Sequence, residues 1–293
     1  MVWFGRRKIV VLTSRVGRRL GLAASSLWLC VMLLAVACKA ESLTASPVAA
    51  ILQSTERTPT PDACGMPSPT PAGEHLLWSA DHETGDLSQW YQNQTGAVYT
   101  TGTGTVRITR AVAHSGCYAL ELSIRDADGQ TQAARIFRWR ENLKEGYYSA
   151  WFYFPQRYEP KLYRNIFQFK SETGDRNDPI WVLNVGNRPT GEMYFYLFDW
   201  LHRKGYEQTA LDVPTKRWIN IEVFYRRSMR KAGRITVWQD GVLLFDLDGV
   251  QTAIGDNTLW SIDNYSDEIS PSDATIYVDD AAISTTRIMI HER

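Results

Sequence analysis

From Glu74 onward, apolar and polar residues alternate in short runs broken by Gly, Asn, Asp and Pro, and a 3.6-residue period is sustained nowhere. In Trp218-Ile219-Asn220-Ile221-Glu222-Val223-Phe224-Tyr225, and again in Arg234-Ile235-Thr236-Val237-Trp238, one set of alternate positions is wholly apolar. That is the pattern of a strand with one face buried. Gln239-Asp240-Gly241 follows the second run, and Asp-Gly supplies the positive φ of a tight hairpin. The same reading predicts strands at Leu76–Ala80, Thr105–Thr109, Tyr118–Arg125, Ala133–Arg140, Tyr147–Phe154, Asn165–Lys170, Ile180–Val185, Met193–Phe198, Trp218–Arg226, Arg234–Gln239, Leu243–Asp246, Thr258–Tyr265 and Thr275–Ser284. About thirteen strands without helices to cover a parallel sheet imply an all-β, two-sheet antiparallel β-sandwich or jelly roll.

The residues before Glu74 are different in kind. The first 38 carry six basic side chains (Arg6, Arg7, Lys8, Arg15, Arg18, Arg19) and no acid, followed by an apolar run from Leu20 to Ala37. This is an export signal. Ala35-Val36-Ala37 precedes Cys38, which makes Cys38 the candidate lipidation site of a lipoprotein-type anchor. An uncleaved anchor helix and a released chain are the alternatives, the run being at the short limit for spanning. The expected location is extracytoplasmic, with the membrane contacted only through the N-terminus.

Residues 39–73 hold six of the twelve prolines in an Ala/Ser/Thr/Pro background that cannot form a core. They read as an extended, disordered spacer. The folded domain therefore begins at residue 74, where nine of the eleven Trp and all fourteen Tyr are concentrated. Without the six N-terminal basic residues, 26 basic side chains face 32 acidic ones, a formal charge of −6. Nucleic acid is excluded as a natural partner. Cys64 and Cys117 either form one disulfide in the oxidising compartment, or Cys117 is a free buried strand residue.

Several segments together resemble the jelly-roll polysaccharide lyases, the group of heparin lyase I, glucuronan lyase and β-jelly-roll alginate lyases within the concanavalin A-like lectin/glucanase superfamily. They are Asp81-His82-Glu83-Thr84-Gly85-Asp86-Leu87-Ser88-Gln89-Trp90, His114-Ser115-Gly116-Cys117-Tyr118-Ala119-Leu120, Ile166-Phe167-Gln168-Phe169-Lys170, Gly233 to Gly241, and Ile276-Tyr277-Val278-Asp279-Asp280. The resemblance implies a polysaccharide partner, acidic in character, cleaved by β-elimination or recognised without cleavage. Elimination needs a group to neutralise the uronate carboxylate, a base for the C5 proton and an acid for the leaving oxygen. Gln168 matches the family's strand glutamine, while the histidine expected two residues further on is Lys170, a poor base unless burial lowers its pKa. Tyr265 resembles the catalytic tyrosine.

Arg138 and Arg140 alternate on one strand face and are candidate carboxylate clamps, Arg138 as part of the catalytic group and Arg140 in substrate binding. Arg135 falls on the opposite face unless a bulge intervenes. Tyr194, Tyr196 and Trp200 offer ring planes for sugar stacking, as does Trp181, against the alternative of core packing. His114 reads as a turn residue and His202 as a loop residue at a groove rim. Jelly rolls of this type often hold one structural Ca2+, and Glu83, Asp86, Asp279 and Asp280 are hard oxygen ligands for it. No organic cofactor is implied.

A non-catalytic carbohydrate-binding module on the same fold is the main alternative. A glycoside hydrolase would need paired acids about 5–5.5 Å apart for retention, and the Glu-x-Asp-x-x-Glu string that usually supplies them on this fold is absent.

Overall fold

A computed structural model describes residues 75–126, 129–139, 143–174 and 176–288. The chain divides into two units, Met1–Thr55 and Glu56–Arg293, and every described residue belongs to the second. The signal segment, the spacer, Cys38 and Arg140 lie outside the described residues.

Among the described residues, seventeen strands, numbered in chain order, form two large sheets and one small one. The first runs β14 (Val242–Val250), β13 (Gly233–Gln239), β12 (Trp218–Arg226), β6 (Glu145–Tyr153), β17 (Asp273–Ser284), β4 (Ala119–Arg125) and β3 (Thr105–Thr109), with β1 (Leu76–Ala80) also paired to β17. The second runs β11 (Lys204–Tyr206), β10 (Met193–Asp199), β9 (Arg176–Asn187), β8 (Arg164–Thr173), β15 (Asn257–Ser266), β5 (Gln132–Trp139) and β2 (Gly96–Thr101). The small one joins β7 (Glu159–Pro160) to β16 (Ile269–Ser270). Every pairing is antiparallel.

The sheets meet through their apolar faces. Tyr148 of β6 stands edge-on to Phe169 of β8 at 5.0 Å, and Tyr225 of β12 stacks on Phe169 at 3.8 Å and 7°. Phe152, Phe167 and Trp260 are buried in the same cluster. Each aromatic removes a large apolar area from water, so truncating Phe169 to Ala costs about 3–5 kcal/mol.

All thirteen expected strands are present, with ends shifted by up to four residues, mostly outward. The strands not foreseen are β2, β7, β11 and β16. Three of these are two or three residues long, and β2 is a half-exposed edge strand whose Gly-Ala-Val-Tyr-Thr-Thr carries no apolar alternation. Its first residue must be glycine, because a Cβ at Gly96 would lie 1.8 Å from the Trp90 carbonyl oxygen. The hairpin after β13 has φ of 49° at Asp240 and 79° at Gly241, as the Asp-Gly pair implies. Cys117 is disulfide-bonded, and the other three cysteines lie outside the described residues.

One irregularity shapes the second sheet. Asn165 pairs with Asn184 and Phe167 with Leu183, so β8 carries Ile166 as an extra residue against β9. Beside it, β15 passes from Ile262 opposite Phe167 to Tyr265 opposite Asn165, leaving Asp263 and Asn264 against Ile166 alone. A bulge re-aims side chains. Here it puts Asn165 and Gln168, three residues apart, on the same outer face.

Candidate functional site

The outer face of the second sheet is hollowed into a cavity of about 560 Å³. Its floor follows from alternation. On β8, Gln168, Lys170 and Glu172 face the cavity while Phe167 and Phe169 enter the core; on β5, Arg135, Phe137 and Trp139 face it while Ala134 and Ile136 enter the core. β15 contributes Leu259 and Tyr265, β2 contributes Tyr99, and Trp200 closes one side from just beyond β10.

Arg135 and Asp263 are both buried and pair across β5 and β15, Nε to Oδ1, at 2.5 Å. The guanidinium also lies 5.3 Å above the Tyr265 ring and 5.8 Å above that of Tyr99. Among the described residues, Asp263 Oδ2, Ser261 Oγ and Gln168 Oε1 are buried without a hydrogen-bond partner. Buried polar atoms are seldom left so. Two of the three belong to neighbours in register, Ser261 being opposite Gln168.

Two titratable groups are moved in opposite directions. Burial, and then repulsion from the Arg135 guanidinium, lower Lys170 from 10.5 to about 8, against the pull of Asp263 and Asp178. Burial raises the Tyr265 phenol well above 10, helped by its hydrogen bond to Tyr163, whose ring stacks on it at 5.6 Å. Near neutral pH the phenol keeps its proton, whereas the ammonium gives one up more readily than a lysine in water.

Of the residues expected from the sequence, the structure brings Gln168, Lys170, Tyr265 and Trp200 together in the cavity. Arg138 requires correction. It faces the core, buried, with its guanidinium 4.6 Å above the Trp78 ring and Nη1 donating to the carbonyls of Trp90 and Gln92 at 3.1 and 3.4 Å. No bulge is needed to bring Arg135 to the cavity, because the odd-numbered residues of β5 form the outer face.

Tyr194 and Tyr196 lie on β10 with ring centroids 6.3 Å apart, outside the cavity lining, and Arg188 covers Tyr194 at 4.6 Å. Trp181 is a core residue, its indole donating to the Gln251 carbonyl. His202 pairs with Asp199 at 2.7 Å. His114 belongs to the other sheet's surroundings, stacked on Trp151 at 3.8 Å and bonded to Asp280 at 2.7 Å.

The four carboxylates considered for calcium each accept protein donors. Glu83 Oε1 accepts the backbone N–H groups of Cys117 and Tyr118, and Asp86 Oδ1 those of Ser88 N–H and Thr84 O–H. Asp279 accepts from the backbone of His114 and Ser115 and pairs with buried His82; Asp280 holds His114 and Ser115. Trp90 donates its indole N–H to His82 Nε2, so the imidazole proton sits on Nδ1, facing Asp279. Among the described residues no three His, Cys, Asp or Glu side chains gather as a metal-binding group. Each of the four already accepts at least one protein donor, which leaves fewer oxygens for a cation.

The two antiparallel sheets define a jelly-roll β-sandwich. The sequence profile of the polysaccharide lyase family matches residues 82–282, more than half of the chain, and the chain belongs to that family. Among solved structures it is similar to the endo-β-1,4-glucuronan lyase of the fungus Trichoderma reesei, with 16% identity and a TM-score of 0.56 over 72% of this chain and 96% of that one. It is also similar to the cellulose induced protein Cip1, with 16% identity and a TM-score of 0.51 over 73% of this chain and 99% of that one. At such identities the likeness establishes the fold. No curated protein matches in sequence.

Proposed function

We propose that the cavity binds a uronate-containing polysaccharide and cleaves it by β-elimination. The observation that carries this is one cavity that holds Gln168, Lys170, Arg135 and Tyr265 together, with Lys170 lowered to about 8 and Tyr265 raised. Groups pushed apart in this way mark the base and the acid.

In the proposed reaction, the neutral Lys170 amine removes the C5 proton. The C5–H electrons form the C4=C5 double bond, the C4–O4 bond breaks, and the Tyr265 phenol delivers its proton to O4. The sugar carboxylate gains charge as C5 is deprotonated. The Gln168 amide, and the terminal nitrogens of Arg135 not used in its Nε bond to Asp263, meet that charge. Membership of the polysaccharide lyase family and the fold shared with a glucuronan lyase support the assignment.

The test is ultraviolet absorbance of the unsaturated uronate product when the protein is incubated with glucuronan, alginate, pectate and heparin. Product that is lost with Lys170→Ala supports the reading. No product, with retention on gels containing the same polymers, would make the chain a binding module.

Tethering at the cell surface is part of the same proposal. It rests on the basic, acid-free N-terminus, the apolar run before Cys38 and the proline-rich spacer. Labelling with radioactive palmitate, lost in Cys38→Ser, tests it.

A further inference from the structure

The cavity is electrostatically two-sided, and this bears on what flanks the uronate. Arg135 lies beside Tyr265, 5.3 Å above its ring, and Lys170 stands between that end of the floor and the far end of β8. One alternation further along β8, about 6.8 Å on, the same face carries Glu172. Glu172 is half-buried and accepts a hydrogen bond from Asn257 Nδ2 at 2.7 Å. Among the described residues no cation pairs with it. Arg176 is committed to Asp178 at 2.9 Å, and Arg135 to Asp263.

Apart from Lys170, one alternation back, the lining around Glu172 is uncharged and rich in hydrogen-bonding groups: Asn177, Asn257 and Thr258, whose buried Oγ1 has no partner. Such a set accepts hydroxyl hydrogens and offers amide donors. A carboxylate brought here would confront an unneutralised Glu172 in a partly desolvated wall, where like charges repel far more than in water.

Resting on the lyase reading above, we infer that the subsite at Glu172 takes an uncharged sugar, so that the substrate is a mixed polysaccharide in which uronate is linked to neutral residues, not a polyuronate. The formal charge of −6 outside the N-terminal segment is in keeping, since a polyanion with a charge on every sugar would be repelled more strongly than one with charges spaced out.

The full chain and its Glu172→Gln variant are compared on three polymers with the same β-1,4 bond to glucuronate. These are glucuronan, hyaluronan and deacylated gellan, and only in the last two are the neighbours of glucuronate uncharged. The expected result is product formed about tenfold faster from at least one mixed polymer than from glucuronan, with the ratio narrowed about fivefold by Glu172→Gln. Added salt should narrow the wild-type ratio and leave that of the variant nearly fixed. A wild-type preference for glucuronan, or a ratio unmoved by the substitution, overturns the inference.

If no polymer yields product, the lyase reading fails, and retardation on gels of the same three polymers decides the matter. Stronger retention by a mixed polymer, evened out by Glu172→Gln, sustains the uncharged subsite. Equal retention, preference for glucuronan, or no retention at all refutes it.

Discussion

Arg135 and Asp263 form a buried ion pair across β5 and β15, and the bulge at Ile166 leaves the second Asp263 oxygen without a protein partner. Removing one member strands the other charge. Arg135→Met is expected to cost about 3–5 kcal/mol, and adding Asp263→Leu to recover most of it, because an apolar pair of similar volume avoids the desolvation of both ions. Urea unfolding of the two variants measures this. A small loss in the single variant would mean that Asp263 is solvated through the cavity.

The pH dependence follows from Lys170. Its pKa is lowered in the folded protein, so the unfolded chain binds more protons between about 8 and 10.5. Stability contributed at this position therefore rises with pH across that window, and Lys170→Met should flatten the rise. The elimination rate should climb about tenfold per pH unit below 8 and level off above it, since the base must be neutral. In Arg135→Met the climb should shift to higher pH, because the guanidinium repulsion is gone while Asp263 and Asp178 remain. A rate profile centred near 6 would exclude Lys170 as the base.

The sandwich was legible because both sheets bury one face. In Trp218–Arg226 the apolar set is unambiguous, and the strand lies where alternation puts it. The facing of β5 runs against its sequence pattern for a physical reason. Its outer face bears Phe137 and Trp139, its inner face Arg138, so the aromatic side looks buried and the arginine side looks wet. A cavity lined by aromatic rings inverts the usual rule, and an arginine packed on Trp78 inverts it again. Gln168, Lys170 and Tyr265 could be found by motif. Asp263 and Glu172 could not, since nothing local distinguishes them from other strand carboxylates; their place depends on the bulge and on register with β15.

Tyr265→Phe separates chemistry from binding. The ring packing against Tyr163 and under Arg135 survives the change, and only the proton donor is lost. Product formation should fall by about 10²–10⁴-fold, with polymer retention on affinity gels kept within about twofold. Tyr163→Phe removes a hydrogen bond that holds the phenol and should have a smaller effect. Equal losses of retention and rate in Tyr265→Phe would assign the phenol to binding instead.

Arg138 provides the control for the reassignment of faces on β5. Its guanidinium holds the carbonyls of Trp90 and Gln92 and covers Trp78, tying the segment after β1 to the second sheet. Arg138→Met keeps the bulk over Trp78 but leaves those buried carbonyls short of a donor, at an expected cost of about 1–3 kcal/mol. Because the side chain points away from the cavity, the KM for an acidic polymer should be unchanged at temperatures where the variant is folded, while Arg135→Met raises it. Thermal unfolding together with KM measured well below the melting transition distinguishes the two arginines. A raised KM in folded Arg138→Met would return that residue to the substrate face.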